Sequence, residues 1–190
     1  GQKLLNDLLK NIDKELKNNK EIRKVTSYSE VDEVFKRNLE QYMRAFIIED
    51  NNFGLKNLRE EQKESFFRTT EEFLNKSKAF DNELTPEDIG QALRNVWIIN
   101  ILQAVMGEKI RLTSSILGYS LLYPYTDNYL DDSSIAKEEK SEFNDRLMKR
   151  LKGESIAPLN SYEEKVYSLV GFIEKDFDRR EYPELYEALQ

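Results

Sequence analysis

The chain has 190 residues, 34% of them charged, a formal net charge of -7, and neither cysteine nor histidine. That composition excludes a disulfide framework, a thiolate nucleophile, a cysteine-based zinc site and the usual imidazole base. Its acidic balance argues against a nucleic-acid partner, and no uncharged apolar run approaches the roughly 18 residues that span a bilayer. Lys3, Asp7 and Lys10 interrupt any apolar stretch at the start, so no signal peptide is expected. The expectation is a single soluble, cytoplasmic domain with no transmembrane segment, long enough to bury a sizeable core.

Taken in order, almost every segment reads as helix. Leu4, Leu5, Leu8, Leu9, Ile12 and Leu16 recur at helical spacing in KLLNDLLKNIDKEL. A second helix opens with Ser29 as N-cap and Asp32 three residues on. Val31, Val34, Phe35, Leu39, Tyr42, Met43 and Phe46 then share one broad face. A third runs from about Leu55 to Phe80, with Leu58, Phe66, Phe67, Phe73 and Leu74 inward. Thr85 as N-cap and Pro86 at the first helical position start the next. That helix, Pro86 to Met106, is apolar on most sides and is placed in the centre of the fold, with Gly107 closing it.

From Thr113 to Asp132 a second mostly apolar helix follows. AKEEKSEFNDRLMKRLKG is an amphipathic surface helix stopped by Gly153, and ESIAPLN is a loop. Ser161 and Glu164 form a capping box for the next helix, and a short one starts at Pro183. No segment alternates like a strand. The predicted fold is an all-α bundle, two central apolar helices wrapped by amphipathic ones.

One stretch stands apart: YPYTDNYLDDSS, residues Tyr123 to Ser134. Ile116, Ser120, Tyr123, Asp127 and Asp131 are spaced four, three, four and four apart, which puts them on one helix face. Gly118 and Ser120 are expected to leave space beside it. Like charges at i, i+4 repel, and carboxylates at a helix C-terminus oppose its dipole. Pro124 removes a backbone hydrogen bond and is expected to kink the helix just before Asp127. A hard divalent cation such as Mg²⁺ resolves the repulsion, and so would Lys137 and Lys140. An EF-hand is excluded, because counting from Asp127 puts Tyr129 at the third ligand position and Asp132 where glycine is required.

These residues resemble the class I isoprenoid synthases, which include trans-prenyltransferases, squalene and phytoene synthases and class I terpene synthases. The text around QALRNVWIINILQ and YPYTDNYLDD resembles a bacterial group of class I isoprenoid biosynthesis enzymes, over roughly Thr85 to Asp132. The resemblance implies a bundle of the isoprenoid synthase type, with Mg²⁺ held by carboxylates against an isoprenoid diphosphate. That diphosphate would depart to leave an allylic carbocation in an apolar cavity. Asp127 and Asp131 match the first acidic motif, Asp132 adds a carboxylate, and Ile116, Ser120 and Tyr123 would line the cavity.

Arg94 and Arg111 suit diphosphate oxygens, with a salt bridge to glutamate as their alternative. Asn95 and Gln103 either join an inter-helix network or point into the pocket. Trp97, Tyr119, Tyr123, Tyr125 and Tyr129 are either core or a cation-stabilising lining.

Two departures qualify the likeness. The spacing is that of the squalene and phytoene type, and no second acidic motif is found. Its nearest imitation is Glu174 with Asp178. Members of the family are longer, so the resemblance implies the N-terminal part of a larger domain, carrying half a site; a homodimer is compatible with it. The alternative from a different class is a non-catalytic helical interaction module whose aspartates form an acidic surface turn.

Overall fold

The computed structural model describes residues 57–190. The helices expected within 3–16 and 27–48 lie outside the described residues. Six α-helices and no strand occur among them: α1 (Glu60–Phe80), α2 (Pro86–Val105), α3 (Ser114–Asp131), α4 (Lys137–Leu151), α5 (Ser161–Asp176) and α6 (Pro183–Ala188). The all-α class therefore holds. No helix among the described residues is long and apolar enough to cross a membrane.

The chain divides into two compact units. One comprises Gly1–Leu74 and Trp97–Arg111, the other Asn75–Val96 and Leu112–Gln190. In the first, Phe66 and Trp97 bring their rings to 6.2 Å. A ladder of buried polar groups accompanies them. The Trp97 indole N–H donates to Thr70 Oγ1 at 3.0 Å, and Asn100 Nδ2 donates to Thr69 Oγ1 at 2.7 Å. Both threonine hydroxyls donate onward to the Phe66 carbonyl. Buried polar groups on α1 and α2 thus find one another, as burial requires.

Gly107 ends α2 with φ +74°, a conformation open to glycine and strained for other residues. Glu108 N–H then reaches the Gln103 carbonyl at 2.8 Å, closing the helix as a Schellman motif. The expected central placement of this helix needs correction over its last turns. Ile98, Leu102, Val105 and Met106 are exposed, Leu102 by 53%. A helix apolar all round is enclosed only where neighbours reach it, and this stripe meets none among the described residues.

The second unit is organised by α3 lying along α5. Gly118 does not leave the space expected of its small size. A Cβ at 118 would stand 2.5 Å from the Leu169 carbonyl oxygen and 2.9 Å from Phe172 Cβ. The missing side chain is the volume that the α5 backbone occupies. Around this approach Leu121, Val166, Leu169 and Val170 are fully buried, each worth about 1.5–3 kcal/mol of transfer free energy. Pro124 is accommodated inside α3, which runs unbroken through it.

Caps fix the ends. Thr113 accepts from Ile116 N–H, and the Asp176 carboxylate from the far end of α5 accepts from Ser115 N–H at 2.7 Å. For α5 the cap falls one residue earlier than expected from Ser161 and Glu164. Asn160 Oδ1 accepts from Glu163 N–H at 2.9 Å, and Glu163 accepts from Leu159 N–H at 2.8 Å. The register is decided by Arg146 of α4, whose Nε and Nη2 grip the buried Glu163 carboxylate at 2.9 Å each. Burial works to raise that carboxyl, and the Arg146 and Leu159 hydrogen bonds outweigh it, holding it below the usual range.

The tail is fastened by Arg179. Its guanidinium donates to the carbonyls of Arg150 and Leu151 and to Glu174, and lies 4.0 Å from the Tyr186 ring centre on α6.

Two glycines separate close approach from mere flexibility. Gly118→Ala is expected to lower stability by about 2–3 kcal/mol, since the displaced group is backbone. Gly90→Ala, with nothing within 4 Å of its Cβ, is expected to raise it by about 0.5–1 kcal/mol. Urea unfolding midpoints check both; an unchanged midpoint for Gly118→Ala would show that α3 and α5 part without cost.

Candidate functional site

At the end of α3 the three aspartates have different environments. Asp127 is half-buried, while Asp131 and Asp132 are exposed. Asp132 is the C-cap, and its Oδ1 accepts from both Ser134 N–H at 2.8 Å and Ser134 Oγ at 2.7 Å. The Ser134 hydroxyl and amide hold this carboxyl below its ordinary value, so its charge serves the turn. Among the described residues no three acidic side chains converge on one point, and the carboxylates of Asp127 and Asp131 take no hydrogen bond or ion pair. Those two are the acids not committed to the fold here.

The remaining expected lining splits along the helix. Ile116 and Ser120 are packed, at 8% and 0% exposure, whereas Tyr123 is 45% exposed and Tyr119 44%. Ile116 and Ser120 are therefore covered, while Tyr119 between them and Tyr123 beyond them reach solvent. Ser120 Oγ has no hydrogen-bond partner in its buried position. Arg94 and Asn95 are half-buried on α2, and neither donates to Asp127 or Asp131. Arg111 is exposed; its backbone N–H and carbonyl are both engaged by the Gln103 amide, at 3.1 and 3.3 Å. Gln103 thus works as a clasp on the connection after α2.

Trp97 and Tyr125 are core residues. Tyr129 stacks on Phe143 at 4.3 Å and on Tyr162 at 5.1 Å.

Glu174 and Asp178, the imitation of a second motif, are consumed by arginines. Arg150 and Arg179 both pair with Glu174. Arg150 chiefly, then Arg179, holds the Glu174 carboxyl below the usual range against its burial. The Arg180 guanidinium and amide push Asp178 down to about 2. A carboxylate already neutralised by a guanidinium is a poor metal ligand.

A cleft of about 270 Å³ beside α3 was not legible in the sequence. Pro124, Tyr125 and Asn128 of α3 line it with Asp81 and Glu83 of the α1–α2 connection, Asp88 in the first turn of α2, and Tyr162 and Lys165 of α5. The buried Asp81 carboxylate is its knot. Tyr125 OH donates to it, Lys165 Nζ donates at 2.7 Å, and Glu83 N–H at 3.0 Å. Burial works to raise the Asp81 carboxyl, and these three donors together carry it below its ordinary value. Lys165 is raised by the same Asp81 hydrogen bond. Burial and then Asp81 push the Tyr125 phenol far above its usual range, so it stays a neutral donor.

Nearby, Asn128 Nδ2 donates to Asp88 Oδ1 at 2.7 Å, and the other Asp88 oxygen takes Thr85 N–H and Oγ1. Thr85 Oγ1 in turn accepts from Asp88 N–H, completing the expected cap of α2. Tyr162 OH donates to the Tyr125 carbonyl. The cleft is therefore a joint whose polar groups satisfy one another.

Compared with known proteins, the chain matches no protein-family model, no curated protein and no solved structure.

Two outcomes are expected of this geometry. Because the Asp81 carboxyl is depressed in the folded state, its stabilisation is present above about pH 4 and fades as pH falls through the folded value. Lys165→Met should cost about 2 kcal/mol at neutral pH, with a smaller loss at about pH 3, read from urea unfolding at each pH. An equal loss at both would show that Lys165 acts by packing alone. Ser120→Ala should be neutral or stabilising by up to about 1 kcal/mol, since it removes an unsatisfied hydroxyl; a clear loss would reveal a partner for Ser120 Oγ.

Proposed function

We propose that this chain is an isoprenoid synthase-like protein that binds a prenyl diphosphate through Mg²⁺ at the end of α3, ahead of condensation or cyclisation. One observation carries the proposal. While α3 is clamped on α5 at Gly118, it exposes Tyr119 and Tyr123 on the way to the half-buried Asp127 and the exposed Asp131, whose carboxylates no fold contact employs. Mg²⁺ is commonly held by one or two carboxylates plus substrate phosphates, so a pair of uncommitted carboxylates one turn apart fits it. When bound, the metal supplies charge stabilisation for the departing diphosphate. Asp127 and Asp131 would anchor and orient the polar head. Tyr119 and Tyr123 would offer ring faces to the apolar chain and to positive charge developing on it. Asp132, occupied by Ser134, would lie outside the ligand set.

A second reading is favoured by the burial of Ile116 and Ser120, two of the residues expected to line a cavity beside α3. In that reading the chain is a helical interaction module, and its exposed aspartates are an acidic surface.

Thermal unfolding with Mg²⁺ and pyrophosphate separates them. At 100-fold excess over Kd the ligand pair should add about 2.7 kcal/mol, raising Tm by about 5 °C or more. Asp127→Ala and Asp131→Ala should abolish the shift while leaving the unliganded Tm nearly unchanged. No shift in the unaltered chain would overturn the proposal, and an equal shift in both variants would place the ions elsewhere.

A further inference from the structure

We draw no further inference here: the strongest candidate, the apolar stripe that Ile98, Leu102, Val105 and Met106 expose along the last turns of α2, carries nothing because no feature of the described residues shows what covers it.

Discussion

The second unit depends on two backbones approaching at Gly118. Helices pack most tightly where one surrenders a side chain, and here the carbonyl of Leu169 fills the vacated volume. That contact sets the rotation of α3 about its own axis. Nine residues on, about two and a half turns, Asp127 falls on the opposite side of the α3 axis from Gly118, the side it shares with the buried Ile116 and Ser120. Tyr119 and Tyr123 fall between these extremes and are partly exposed. The glycine fixes the side of α3 that meets α5, while the burial of Ile116 and Ser120 leaves only part of the opposite side open to solvent.

Charge is distributed along the same division. The acids that meet α4, α5 and α6 are matched by guanidinium groups: Glu163 by Arg146, Glu174 by Arg150 and Arg179. Asp81 is matched by Lys165 and a phenol. Such pairs stabilise little beyond the desolvation they offset, yet removing one partner strands a charge and fixes the arrangement. At the end of α3 Asp127 and Asp131 have no such direct partner. Negative charge there attracts cations over about a Debye length, lies at the negative end of a helix, and already feels the charge of Lys140 at Asp132.

The helices were largely legible because their signals are local. Thr85 with Pro86, Gly107 and Pro183 each mark a boundary by the conformation they permit, within a few residues of the groups they cap. The start of α5 shows the limit of such signals. Asn160–Glu163 and Ser161–Glu164 offer the same pattern one step apart, and a distant arginine chooses between them. Distance in sequence hid the cleft altogether. Asp81 meets Tyr125 and Lys165 across 44 and 84 residues, and no spacing rule joins them. At the candidate site the sequence marked Asp127 and Asp131 by their separation. It did not reveal that Ser134 occupies Asp132, or that Gly118 serves contact instead of space.

Arg179 has a consequence for the end of the chain. One flat cation touches the carbonyls closing α4, the Glu174 carboxylate and the Tyr186 ring, and its Cδ lies 3.0 Å from where a side chain at Gly153 would begin. It works as a buckle beside the buried Tyr186, whose hydroxyl donates to the Phe177 carbonyl. A side chain at 153 would need Arg179 to give by a few tenths of an ångström and would force a left-handed backbone on a residue other than glycine, so this turn ties the stop of α4 to the hold on the chain's last helix.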